Sequence, residues 1–172
     1  MTAYLGLGTN LGEDKTGILH QAIDHIGEQA GRVLACSSFM ESEPWGFSSD
    51  NRFLNAVVAI DTALSPHELL EATQSIEQLM GRTHKTVDGN YTDRNIDIDI
   101  LLYGDSVIAT AELTIPHAHM LQRRFVYIPL LEIAPDVISP TNGIPLSELV
   151  GGVCELIKTD PNTLEIHRWQ WP

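Results

Sequence analysis

Hydrophobic residues recur along this chain with two spacings, which predict strands interleaved with helices. Strands are predicted at 2–8, 32–40, 53–63 and 93–103, with short extended segments at 106–109, 113–117 and 164–168. An apolar stripe of helical spacing predicts a helix over about 12–29, capped by Asn10. A second helix should run from the capping box Ser65-Pro66-His67-Glu68 to about Met80. Short helices are expected over 119–133.

The chain contains no internal repeat and no linker rich in Pro, Gly or Ser, so we expect a single domain over 1–172. Strands that alternate with well-formed helices predict an α/β or α+β sandwich. Two polar loops, at 41–51 and 82–95, should lie at one end of the sheet. Long loops in that position commonly close over a substrate.

The chain has 23 acidic and 10 basic residues, a formal net charge of −13. This excess opposes binding to nucleic acid or to anionic membranes, and no apolar run approaches the length of a membrane span. The N-terminal segment lacks the features of a signal peptide. Cys36 and Cys154 are far apart and form no metal or redox motif, which indicates reduced thiols in a cytoplasmic protein.

The strand at 93–103 carries the strongest chemical signal. Asp97 and Asp99 share one face, roughly 7 Å apart along the chain, and Leu101 and Tyr103 should continue that face. The other face should be filled by Ile96, Ile98, Ile100 and Leu102. Two carboxylates at the entrance of a buried strand repel each other unless a cation such as Mg²⁺ neutralises them. Alternatively, the strand begins at the protein rim and both carboxylates are simply solvated.

Other residues near this pair also suggest chemistry. Arg82 and Arg94 beside two metal-ligating carboxylates would suit phosphoryl transfer. An aromatic and amide set could recognise a flat heterocycle, although such aromatics are often core: Trp45, Phe53, Asn55, Tyr91 and Phe125. His117 and His119 could pair on a metal, but no third soft ligand lies nearby, and a phosphate contact suits His117 better. Leu11 replaces a glycine that a dinucleotide-binding loop needs.

These residues belong to a set of motifs that together match one family. The matching segments are 4–12, 37–46, 53–57, 77–82, 94–101 and 116–126, and they include an Arg-x-x-Asp-x-Asp element at 94–99. On these residues the chain resembles 6-hydroxymethyl-7,8-dihydropterin pyrophosphokinases of folate biosynthesis. The resemblance implies a three-layer α-β-α sandwich on a ferredoxin-like core, in the α+β class, with a mainly antiparallel sheet.

The resemblance implies that ATP donates diphosphate to the hydroxymethyl oxygen of a reduced pterin and that AMP leaves. Asp97 and Asp99 would hold two Mg²⁺ ions, while Arg82 and Arg94 would bind phosphates and stabilise the transition state. Residues implied around ATP are Gln74, Glu77, Tyr91, Ile100, Thr114, His117 and Arg123. Residues implied around the pterin are Gly8, Asn10, Ser42, Pro44, Trp45, Phe53, Asn55 and Phe125. We expect a monomer that binds ATP and the pterin, with no nucleic-acid or membrane partner.

The chain departs from the family pattern at several positions. The stretch 91–93, Tyr-Thr-Asp, replaces a common Trp-Gly-Pro, and His84, Glu112 and Ala118 stand where other residue types are frequent. These departures affect individual ATP contacts rather than the Asp and Arg set. Two alternative functions are a Mg²⁺-dependent phosphohydrolase and a non-catalytic, metabolite-binding ferredoxin-like domain.

Overall fold

The computed structural model describes residues 1–46, 49–81, 95–151 and 166–167. Its strands are β1 (Thr2–Thr9), β2 (Arg32–Cys36), β3 (Phe39–Ser42), β4 (Phe53–Asp61), β5 (Asp97–Tyr103), β6 (Ile108–Ala109), β7 (Thr114–Ile115) and β8 (Ile166–His167). Its helices are α1 (Lys15–Gln29), α2 (Pro66–Leu79), α3 (Arg124–Ile133) and α4 (Leu146–Leu149), and a 3-10 turn spans Met120–Gln122. Within these described ranges, no helix is long and apolar enough to cross a membrane.

The main sheet has the strand order β5-β1-β4-β3-β8, and β2 pairs with β4 beside β3. All of its pairings are antiparallel. Along the chain the order is β1-α1, then β2 and β3, then β4-α2-β5. In the sheet, β1 and β4 are central, β5 lies beside β1, and β2 and β3 both lie beside β4. This is the βαββαβ arrangement of a ferredoxin-like core, so the predicted fold class is confirmed.

Helices cover both faces of this sheet. On one face α1 and α2 bury a large apolar cluster. It includes Leu19, Ala22, Ile23 and Ile26, which form the apolar stripe of α1, together with Leu69 and Ile76 of α2. On the other face α3 and α4 pack Val126, Leu130, Leu131 and Leu146 against Val57, Leu101 and Leu102. The result is the expected three-layer α-β-α sandwich.

The first helix begins later than its apolar pattern predicts. Lys15 is its first residue, and Asp14 caps it by accepting the backbone N–H of Gly17 at 2.8 Å. Gly12, with φ of +86°, keeps the preceding chain out of the helical conformation. The prediction that Asn10 caps this helix is therefore wrong.

The second helix follows its sequence signals closely. Ser65 accepts the N–H of Glu68, and Glu68 accepts the N–H of Ser65 at 2.7 Å, which completes the predicted capping box. The buried residues of this helix are Leu69, Thr73, Ile76 and Glu77.

The predicted strand at 32–40 is divided into β2 and β3. Ser37 interrupts it by accepting the N–H of Val57 through its hydroxyl at 2.9 Å. Ser38 donates its backbone N–H and its hydroxyl to Glu132 of α3, at 3.0 and 2.6 Å. Side-chain bonds at these two serines thus replace the regular ladder and fix α3 to the sheet.

Strand β5 shifts register against β1 between Ile100 and Leu102. Such a bulge places two residues opposite one and shifts the alternation of faces. Beyond it, Leu102 packs toward α3, and Tyr103 joins the core beneath α1 and α2, where its hydroxyl donates to the carbonyl of Leu64 at 2.6 Å. The predicted faces of Leu102 and Tyr103 are therefore wrong, because periodicity alone does not reveal a bulge.

Candidate active site

A cleft opens on the α3 face of the sheet, where the end of β1 lies between β4 and β5. Gly8 pairs with Asn55 of β4 and with Asp97 of β5, while Gly6 pairs with Asp99. Paired residues point to the same face of a sheet. The amide, the glycines and both carboxylates therefore face one space, of about 590 Å³ including its open mouth.

The glycines form the floor of this cleft. A Cβ atom on Gly8 would lie 3.2 Å from Oδ1 of Asn55, and one on Gly6 would lie 3.3 Å from the side chain of Leu101. Both distances are shorter than ordinary contacts between carbon and its neighbours. Glycine at these positions lets a ligand approach the backbone of β1.

On one side of the cleft, the side chains of Asp97 and Asp99 project from the edge strand β5. The Asp99 side chain is 39% exposed, and its Oδ2 lies 3.8 Å from Nε2 of His117 and 3.9 Å from Nη1 of Arg123. Within the described part of the chain, no three His, Cys, Asp or Glu side chains are arranged so that they could together hold a metal ion. Two carboxylates without a closed protein cage are nevertheless the usual Mg²⁺ donors where phosphates and water complete the shell. The donor set therefore fits magnesium.

His117 is held neutral beside this pair. Burial lowers the pKa of His117 to about 4, and the charges of Arg123 and His119 add to this effect against the opposing charge of Asp97. The backbone N–H of His119 donates to Nδ1 of His117 at 3.2 Å. A neutral ring with Nδ1 as acceptor carries its proton on Nε2, so His117 directs an N–H donor toward Asp99.

The opposite side of the cleft presents an amide and aromatic rings. Nδ2 of Asn55 donates to the carbonyl of Met40 and to the hydroxyl of Ser42, both at 3.0 Å. These bonds fix the orientation of the amide and leave its oxygen over Gly8. Phe53, Phe125 and Trp45 line the same space. Such a surface suits a flat heterocycle that has an N–H edge.

The cleft collects the following predicted residues: Gly8, Ser42, Trp45, Phe53, Asn55, Asp97, Asp99, Arg123 and Phe125. Asn10 is 1% exposed and does not line it, and Ile100 is buried in the core beneath α1 and α2. Glu77 accepts the N–H of Ile98 at 2.8 Å and so holds β5 between its two aspartates. The predicted residues Arg82, Tyr91 and Arg94 lie outside the described residues, as do His84 and most of the 82–95 loop.

Sequence reasoning missed the residues that hold the rim of the cleft. Arg52 contacts Glu41 at 3.3 Å and Glu43 at 3.1 Å, and its carbonyl accepts from Lys15 at 2.8 Å. Glu43 also lines the cleft. The charged residues of 41–52 were the available signal, but charged residues are equally typical of a solvated loop. Gly6 was detectable, because it lies two residues before Gly8 on the same strand.

A carboxylate pair with adjacent Arg and His, opposite an amide and aromatic pocket, is an arrangement typical of group-transfer enzymes that act on phosphates and flat heterocycles. The family described as 7,8-dihydro-6-hydroxymethylpterin-pyrophosphokinase (HPPK) matches residues 4–135. The chain therefore belongs to this family. The expected activity, diphosphate transfer by an enzyme of folate biosynthesis, is confirmed.

Named relatives agree with this assignment. The chain is 48% identical over 133 residues to a 2-amino-4-hydroxy-6-hydroxymethyldihydropteridine pyrophosphokinase of Porphyromonas gingivalis, which covers 77% of this chain and 90% of the relative. It is 42% identical over 164 residues to the enzyme of that name from Methylorubrum extorquens, which covers 95% of this chain and 96% of the relative.

Solved structures show the same fold. A crystal structure of wild-type Plasmodium falciparum HPPK-DHPS matches with a TM-score of 0.71 at 16% identity. The match covers 94% of this chain and 46% of that chain. At this identity the likeness supports the fold, and the assignment to the family rests on the sequence matches.

Proposed function

We propose that the cleft binds ATP with two Mg²⁺ ions on its carboxylate side and 6-hydroxymethyl-7,8-dihydropterin on its aromatic side. The observation that carries this proposal is the row of Asn55, Gly8 and Asp97 across three adjacent strands. In this proposal, Asn55 would supply an acceptor for the heterocycle and Asp97 a ligand for the metal, on the two sides of the glycine floor. A substrate bound to each would meet over β1.

Asp97 and Asp99 would hold the magnesium ions together with the triphosphate. When bound, the ions supply charge neutralisation at the phosphate oxygens. Arg123 and the Nε2–H of neutral His117 face the same region and would donate to those oxygens. We retain Arg82 and Arg94 as catalytic residues on sequence grounds. Further ATP contacts are proposed on sequence grounds for Gln74, Glu77, Tyr91, Ile100 and Thr114. Ile100 would act through its backbone, because its side chain is buried beneath α1 and α2.

The pterin would lie flat over Gly8, between the rings of Phe53 and Phe125, with Trp45 at the mouth. Oδ1 of Asn55 would accept from the N–H edge of the ring, because Nδ2 of the same amide is engaged with the protein. Ser42, Pro44 and Asn10 would complete this side, with Asn10 acting through the backbone of its loop.

In the reaction, the hydroxymethyl oxygen bonds to the β-phosphorus of ATP. The bond that breaks is the one between that phosphorus and the oxygen bridging it to the α-phosphorus. AMP leaves with the bridging oxygen, and the hydroxyl proton is released. Holding both substrates on one rigid floor supplies most of the needed orientation. Guanidinium groups stabilise the charge that develops on the transferring and leaving phosphates.

The proposal extends to the setting of the enzyme. We propose that residues 1–172 act as a single pyrophosphokinase domain, as a monomer, in the cytoplasm. The ferredoxin-like core over the described residues supports the single domain, and the acidic net charge of −13 supports a soluble setting without nucleic-acid partners.

Product analysis of the full chain tests this function. With ATP, Mg²⁺ and the hydroxymethylpterin together, AMP and pterin diphosphate should form in equal amounts, and omission of the pterin should abolish AMP formation. Phosphate release without pterin would favour a phosphohydrolase, and binding without turnover would favour a non-catalytic domain. Asp99→Asn should be inactive, whereas Asp105→Asn, on the exposed turn after β5, should match the wild type.

A further inference from the structure

Trp45 lines the aromatic side of the cleft, and its ring also lies against Arg123 and His119, which come from the segment before α3. Cζ of Arg123 is 4.3 Å from the centroid of the Trp45 ring. The ring also lies 5.5 Å from that of His119, at an interplanar angle of 46°. One indole ring thus connects the 43–46 loop to the segment that precedes α3.

The position of Arg123 gives this contact a consequence. Its side chain is almost buried, and Nη1 lies 3.9 Å from Oδ2 of Asp99. A guanidinium is planar, so its face can stack on an aromatic ring while its edge donates hydrogen bonds. The indole ring covers the face of Arg123, while the edge is directed to the carboxylate side.

Resting on the proposed function, we propose that Trp45 is a positioning residue that couples the two substrate sites. By stacking on Arg123, it holds the guanidinium edge toward the phosphates. A nucleotide that fixes Arg123 in turn fixes Trp45 and the 43–46 loop, which carries Pro44 and follows directly after Ser42 of β3. Linkage requires this effect to be reciprocal, so the nucleotide tightens pterin binding and the pterin tightens nucleotide binding.

Binding measurements on Trp45 variants test this coupling. The dissociation constant of the pterin is measured with and without a non-hydrolysable ATP analogue plus Mg²⁺, and the ratio defines the coupling factor. Trp45→Leu should lower this factor by about two- to thirtyfold, the range of a cation–π contact. Trp45→Phe should retain most of it. Direct loss of a pterin contact alters both dissociation constants equally and leaves the ratio unchanged.

A double-mutant cycle identifies Arg123 as the partner. Arg123→Lys keeps the charge but removes the planar face, so it should lower the coupling factor as Trp45→Leu does, and the double variant should show little further loss. Additive losses would overturn the pairing. Circular dichroism of each variant verifies that the fold is intact.

An independent measurement follows the fluorescence of Trp45. The variant Trp169→Phe/Trp171→Phe is used, so that Trp45 is the one tryptophan left in the chain. Adding the nucleotide analogue and Mg²⁺ without pterin should protect Trp45 from acrylamide quenching. An unchanged coupling factor in Trp45→Leu, with unchanged quenching, would overturn the inference. Wild-type turnover would then leave the proposed function intact, whereas failure of wild-type turnover would refute that function itself.

Discussion

The two faces of β5 are built from alternate residues of one strand, yet they do different work. Toward α1 and α2, Ile98 is 5% exposed and packs in the main core. Toward the cleft, Asp99 is partly solvated and faces His117 and Arg123. The apolar face holds the strand in the core, and the polar face directs its carboxylates into the cleft. A substitution on one face should therefore affect stability, and one on the other should affect chemistry.

The largest expected effect is at Asp97. Asp97→Asn should lower turnover by about a thousandfold or more, since several kcal/mol of charge stabilisation in the transition state depend on the metal ligands. The free energy of unfolding should hardly change, because this side chain lies at the cleft and not in the core. Steady-state kinetics and denaturant unfolding measure the two quantities. Full activity in this variant would contradict the assignment of the chemistry to the polar face of β5.

The next residue along the strand should give the opposite result. Ile98→Ala should lower the free energy of unfolding by about 2–5 kcal/mol, the usual cost of a cavity in a core. Turnover of the folded protein, assayed well below its unfolding temperature, should stay close to that of the wild type. Loss of turnover at unchanged stability would show that the two faces are not separable in this way.

Two glycines provide a matched pair of alanine substitutions. A Cβ on Gly8 would press on Asn55 at 3.2 Å, whereas one on Gly27 of α1 would meet Val33 at an ordinary 3.8 Å. Gly8→Ala should weaken pterin binding by about ten- to two-hundredfold, the range for one methyl group in a fitted pocket. Gly27→Ala should leave binding unchanged. Direct titration with the pterin compares them, and equal affinities would contradict the role of the floor.

The smallest effect should come from a helix end that is remote from the cleft. Ser65→Ala removes the cap of α2 and should lower the free energy of unfolding by about 1 kcal/mol. Kinetic constants should not change, since Ser65 forms its hydrogen bonds with Glu68 and Leu69, in the first turn of α2. Thermal unfolding and steady-state kinetics, measured on the same preparation of this variant, test the prediction. An altered KM for ATP would contradict it and would indicate that the start of α2 influences the geometry of the cleft.

The core could be predicted from the sequence because it depends on periodicity and local signals. The apolar stripe of α1 and the capping box at Ser65 are of this kind. The cleft was predicted in part: Asp97 and Asp99 share a face through strand alternation alone. Their position opposite Asn55 depends on the register of β1 with two neighbours, which only the family resemblance could anticipate.

Other features arise from tertiary contacts that no local pattern encodes. The bulge near Leu102 turns Tyr103 into the helix-covered core. Asp14 replaced Asn10 as the cap of α1, because both residue types cap equally well and the loop geometry decides between them. The stacking of Trp45 on Arg123 joins residues far apart in the chain.

The central claim is that the carboxylate face of β5 binds nucleotide through magnesium. Calorimetric titration of a non-hydrolysable ATP analogue, with and without Mg²⁺, tests it most directly in the wild type and in an Asp97→Asn/Asp99→Asn variant. Magnesium should tighten binding to the wild type and leave the affinity of the variant unchanged. The same dependence on magnesium in both proteins would contradict the account.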